Sequence, residues 1–155
     1  MASLDEFINR ETKKQKNIFD DMMEHASKSK HPDSNDVVLY SAIILRNIYN
    51  DVKKKWTKLK NKDEIITPEP VRKYKIQAYF EKTLRRRFNE AVYQEAVKSL
   101  SKKGILEREV EEENSGYVTQ YSFNPSHKSI LKDVEKGIPL DDKSSWVYKK
   151  LKPQN

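Results

Sequence analysis

Residues 89–123 read NEAVYQEAVKSLSKKGILEREVEEENSGYVTQYSF, and the spacing of the apolar residues changes within them. Up to Lys103, Tyr93, Ala96, Val97 and Leu100 recur at helical spacing. Gly104 follows, and glycine commonly ends a helix because it turns left-handed without strain. Beyond it the period is two. Leu106, Arg108 and Val110 alternate with Glu107, Glu109 and Glu111, and Tyr117, Thr119, Tyr121 and Phe123 alternate with Val118, Gln120 and Ser122. Asn114-Ser115-Gly116 marks a turn between the two runs. The stretch predicts a helix over about 89–103 followed by an antiparallel hairpin over 106–123.

Upstream, Val37, Val38, Leu39, Ile43, Ile44, Ile48, Val52 and Trp56 recur at helical spacing and predict a helix running to about Leu59. Asp33, Ser34 or Asn35 can cap it. Lys53, Lys54, Lys55, Lys58 and Lys60 crowd its end, where cations suit the helix dipole. Thr67, Pro68 and Pro70 break the pattern; Ile65-Ile66-Thr67 reads as a short strand, and Pro70 can open a helix over 71–84. An N-terminal helix over 3–28 is expected, with Ser3 and Glu6 as a capping box. It carries two apolar clusters, Leu4-Phe7-Ile8 and Ile18-Phe19-Met22-Met23. Downstream, Ser126 can cap a short helix to about Lys136, and the tail brings Trp146, Val147, Tyr148 and Leu151. The expected class is mainly α with a small antiparallel β-hairpin. It divides into an N-terminal helical extension (1–35), a central domain (36–125) and a C-terminal extension (126–155).

The order helix, short extended segment, helix, helix ending in glycine, hairpin resembles the winged helix-turn-helix superfamily over about residues 36–123. Its most specific part is Leu100-Ser101-Lys102-Lys103-Gly104-Ile105-Leu106-Glu107-Arg108, where Leu100 and Ile105 would anchor both sides of the glycine turn. Within the superfamily the chain is similar to the winged-helix domain of archaeal replication initiators, which share a long apolar first helix, a Tyr-rich second helix and an Arg-rich entry to the third. It holds no glycine-rich phosphate loop, with only 3 Gly, so the resemblance extends to the superfamily and not to the initiator role. It implies double-stranded DNA as partner, read in the major groove by the helix at about 89–103, and a transcriptional regulator. The residues implied are Arg85, Arg86, Arg87, Asn89, Glu90, Gln94 and Lys98. Arg holds phosphate or reads guanine, Asn and Gln read adenine, and Glu accepts from cytosine. Tyr93 belongs to the core.

The charge distribution agrees with a polyanionic partner. Residues 67–104 carry 10 Lys and Arg against 4 Asp and Glu, within a chain of net charge +7. The hairpin opposes it: residues 105–123 carry 5 Glu against Arg108 alone. Carboxylates are repelled by phosphates, so either the hairpin points away from DNA or the domain is a protein-interaction module in a nucleic-acid-processing assembly. No enzyme is expected. Cysteine is lacking, His25, His31 and His127 stand in no metal-ligand spacing, and no nucleophile–base arrangement is placed by the sequence. Neither a cofactor, a metal nor a small-molecule ligand is expected. No apolar run approaches the ~20 residues that span a bilayer, and the N-terminus is charged within its first residues. The expected location is therefore cytoplasmic, at the nucleoid, or nuclear if the source is eukaryotic. The terminal apolar clusters suggest a homodimer through the extensions; the alternative is that both fold back to thicken a lean core, 35% of the chain being hydrophobic.

Overall fold

A computed structural model of the chain describes residues 13–58, 67–113 and 116–154. The Ser3 cap, the Leu4-Phe7-Ile8 cluster, Ile65-Ile66 and Asn114-Ser115 lie outside the described residues. The elements run α1 (Lys13–Lys28), α2 (Ser34–Lys58), α3 (Lys73–Ala78, continuing as a π-turn over Tyr79–Leu84), α4 (Glu90–Lys102), β1 (Leu106–Glu113) and β2 (Gly116–Phe123). A 3-10 turn (Pro125–His127), α5 (Ser129–Lys136) and α6 (Trp146–Leu151) complete the chain. The fold is mainly helical with one two-stranded antiparallel sheet.

α2 is the centre. Every residue from Asp36 to Arg46 is buried, as expected of a helix surrounded by others rather than half-wetted. α1, α4, α5 and α6 all pack on it. Its start is fixed by a reciprocal cap: the Asp36 amide donates to Asp33 Oδ1 (2.8 Å) and the Asp33 amide donates to Asp36 Oδ2 (3.1 Å). This is a capping box with aspartate in the glutamate place. In the middle of α2, Arg46 is buried; its guanidinium donates to the Val134 carbonyl near the end of α5 (3.1 Å) and lies over the Tyr49 ring.

His25 on α1 joins that cap through a 2.8 Å hydrogen bond between Nδ1 and Asp36 Oδ1. The Asp36 hydrogen bond and charge raise the His25 pKa above 6.5, with Asp33 adding to the effect. Stabilisation by protonated His25 is complete below pH 6.5 and is lost as pH rises through the raised folded value. Urea midpoints should therefore fall modestly on crossing that range, and His25→Gln should flatten the dependence. An unchanged profile in H25Q would show that the pair does not couple α1 to α2.

The helix expected over 71–84 begins two residues late. Val71 forms an antiparallel bridge with Tyr121, its amide donating to the Tyr121 carbonyl (2.7 Å) and its carbonyl accepting from the Tyr121 amide (3.0 Å). Val71 therefore flanks β2 on the side away from β1. The π-turn closes at Arg85, a non-glycine residue at φ 54, a conformation that costs about 1–2 kcal/mol with a Cβ. The Arg86 amide donates to the Phe80 carbonyl (2.9 Å) and settles this corner. Beneath it Tyr40, Phe80, Phe88 and Tyr93 stack successively, with centroids 4.5 to 5.6 Å apart. The α4–β1 turn is made by Gly104 at φ 74, with the Ile105 amide donating to the Leu100 carbonyl (3.0 Å).

The extensions join the same core. Phe19, Met23 and Ala26 of α1 are buried in it, and so are Ile130, Val134, Ile138, Leu140, Val147, Tyr148 and Leu151. The apolar residues offered by the C-terminal tail are thus largely covered by the chain itself. The cap after β2 is Asn124 rather than Ser126: Asn124 Oδ1 accepts from the Ser126 amide (3.0 Å), and α5 begins later, at Ser129.

Candidate nucleic-acid interface

α4 buries Val92, Tyr93, Ala96, Val97 and Leu100 and leaves Gln94, Glu95, Lys98 and Lys102 exposed. Lys98 and Lys102 stand one turn apart, so both cations lie on one ridge. On one flank that ridge faces the hairpin across a groove of about 480 Å³, lined by Gln94, Glu95, Lys98, Ser101, Lys102, Arg108 and Tyr121. On the other flank a groove of about 310 Å³ separates Lys98, Lys102 and Lys103 from the start of α2 at Asp33 and Ser34.

The pleat sorts the hairpin's charges. Arg108 is paired with Tyr121 and Glu109 with Gln120; residues directly opposite share a face, and successive residues alternate faces. Arg108 and Tyr121 turn toward α4. Glu107 and Glu109 stand on the opposite face, where Arg72 Nε donates to Gln120 Oε1 (2.8 Å) and Gln120 Nε2 donates to Glu109 Oε2 (3.2 Å). Gln120 is buried, so this chain of contacts ties the start of α3 across β2 to β1. The acidity of the hairpin is in this way kept off the groove side at Glu107 and Glu109.

Six of the seven residues expected from the sequence divide into three groups. Gln94 and Lys98 meet in the groove. Arg85, Arg86 and Arg87 are exposed at the corner before α4, and Arg86 pairs with Asp20 of α1. Glu90 is exposed but pairs with Lys73 of α3 at 2.6 Å.

Asn89 has a different task from the base reading expected of it. It caps α4, its Oδ1 accepting from the Ala91 amide (3.0 Å). Its Nδ2 donates to the carbonyls of Ala26 and Ser29 at the end of α1, both at 2.8 Å. Its own amide donates to Tyr40 Oη (2.9 Å). Both Nδ2 hydrogens are used inside the fold, so none is left to donate to adenine N7 in a two-bond reading of that base.

Lys102 and Arg108 were not among the expected residues. The signal for Lys102 was the four-residue step from Lys98, and for Arg108 the alternation that isolates it from the neighbouring glutamates. The three residues offered for metal binding by proximity, His25, Asp33 and Asp36, are accounted for by the α2 cap. No protein-family model, no curated protein and no solved structure matches the chain.

Proposed function

We propose that the chain binds double-stranded DNA as a winged-helix protein, with α4 in the major groove and the β1–β2 hairpin against the adjoining backbone, and that it acts as a transcriptional regulator at the nucleoid or in the nucleus. The observation that carries this reading is the groove in which Lys98 and Lys102 of α4 face Arg108 of β1, with Gln94 beside them. Three cations against the single carboxylate of Glu95 leave the cleft net positive, which suits a phosphate strand, and the exposed amide of Gln94 suits a base edge. A helix about 10–12 Å across matches the roughly 12 Å width of the major groove. The Val71 bridge supports the winged-helix reading, because it adds a third strand position beside β2. Arg85 and Arg87 extend the basic surface beyond the groove.

A homodimer through the terminal extensions remains part of the proposal, although Phe19, Met23, Val147, Tyr148 and Leu151 are buried in the chain's own core and Ile18, Met22 and Trp146 are partly buried against it. The protein-interaction reading is favoured by Glu107 and Glu109 on the far face of the hairpin. Among the described residues no helix is long and apolar enough to cross a membrane.

A fluorescence-anisotropy titration of a labelled mixed-sequence 20-base-pair duplex separates the two. The expected result is binding at low salt, with log affinity falling against log salt at a slope of about −3 or steeper, one counterion release per contacted phosphate. No binding at about 50 mM salt, where phosphate contacts are strongest, would hand the lead to the protein-interaction reading.

A further inference from the structure

We propose that the outer edge of β1 takes up an extended, Lys- or Arg-bearing segment of a partner protein as an added strand. The direction of the backbone groups follows from three hydrogen bonds. Tyr121 exchanges both of its bonds with Val71, so the Tyr121 amide and carbonyl point away from β1. Its cross-strand partner Arg108 must then point its own amide and carbonyl outward. The Asn124 amide donates to the Ile105 carbonyl (2.9 Å), which sets the same alternation from the other end. Arg108, Val110 and Glu112 therefore present their backbone groups at the free edge. Among the described residues no backbone group bonds to them there.

The side chains along this edge select the occupant. Glu107 and Glu109 stand on one face of β1, and Val110, 51% exposed, stands on the other. A second copy of β1 would set glutamate against glutamate, which cross-strand pairing disfavours. Such charges protect an edge from pairing with itself, yet they favour a strand of opposite sign. A segment alternating basic and apolar residues meets both needs: cations toward Glu107 and Glu109, apolar side chains toward Val110. Main-chain bonds would supply affinity and the alternating side chains specificity. The proposal does not depend on DNA binding.

The test uses the full chain and a fluorescein-labelled ten-residue peptide of alternating Lys and Val. A control peptide of equal charge carries Pro in place of Val and cannot form a ladder. The expected result is binding of the first peptide, at least about tenfold tighter than the control, with slowed hydrogen exchange at the amides of Arg108, Val110 and Glu112. Val110→Pro removes an outward amide that the β1–β2 ladder does not use, a position where proline is tolerated, and should abolish binding. The variant E107K leaves the ladder bonds intact, sets a cation where the partner's cation would lie, and should weaken binding about threefold or more. Equal binding of both peptides, unchanged affinity in V110P or in E107K, or no protection at the three amides would each overturn the proposal.

Discussion

Replacing Lys98, Lys102 and Arg108 together by alanine should lower duplex affinity by roughly 100-fold or more at about 0.1 M salt and make the salt slope shallower by about 3. The three side chains line one groove from two elements, so a strand lying in it would meet all three. Each phosphate contact contributes about 0.9 to the slope of log affinity against log salt for B-form DNA. The loss should be nearly the same for every sequence, because phosphate contacts position the protein without reading bases. Gln94→Ala should behave differently, leaving the slope in place and relaxing preference at one base pair by about 1–3 kcal/mol. All three cations are exposed, and the substitutions should leave the urea midpoint close to that of the parent chain. Parallel anisotropy titrations at several salt concentrations separate these effects. A triple variant with the parent slope would place the interface elsewhere on the surface.

Asn89→Ala should destabilise the fold by about 2–4 kcal/mol. Loss of a helix N-cap costs about 1 kcal/mol; the Ser29 carbonyl loses the Asn89 donor and the Ala26 carbonyl keeps only the Ser29 amide at 3.3 Å, together about 1–3 kcal/mol where they stay dry. The lesion lies where α1, α2 and α4 meet, since the Asn89 amide also donates to the buried Tyr40 hydroxyl. Burial pushes the Tyr40 hydroxyl up to about 12, so it stays protonated and neutral at ordinary pH. Urea unfolding of N89A measures the cost directly. At temperatures where the variant remains folded, its base preference should match the parent's. A stable N89A with altered preference would show the amide reading DNA rather than holding α1 to α4.

These two expectations mark where sequence was informative. The helix–glycine–hairpin passage is local: apolar period, Gly104 and strand alternation all lie within one stretch, which spans the observed β1 and β2. The central helix was equally legible, because Val37 to Ile48 carries apolar residues on every side. The late start of α3 was not, since it depends on Val71 bonding to Tyr121, a partner fifty residues away. Nor was the task of Asn89. An asparagine before a helix suits a cap and a base contact equally well, and only the arrival of the Ala26 and Ser29 carbonyls decides between them. The terminal clusters pointed to dimerisation ahead of self-docking, whereas Phe19, Met23, Val147, Tyr148 and Leu151 are buried in the chain's own core, for burial depends on what lies opposite rather than on the residues themselves. For the candidate interface, Gln94 and Lys98 could be placed from helical spacing alone. Arg108 needed the pleat, which sends it to the groove while Glu107 and Glu109 turn to the other face.

The central claim is that nucleic acid lies in the groove between α4 and the hairpin. Its most direct test is the shift of backbone amide resonances in the isotope-labelled chain on adding a mixed-sequence duplex at low salt. The largest shifts should fall on residues 94–102, on Arg108 and on Tyr121, with α5 and α6 nearly unmoved. Shifts centred on α5 and α6, or none at all at saturating duplex, would contradict it.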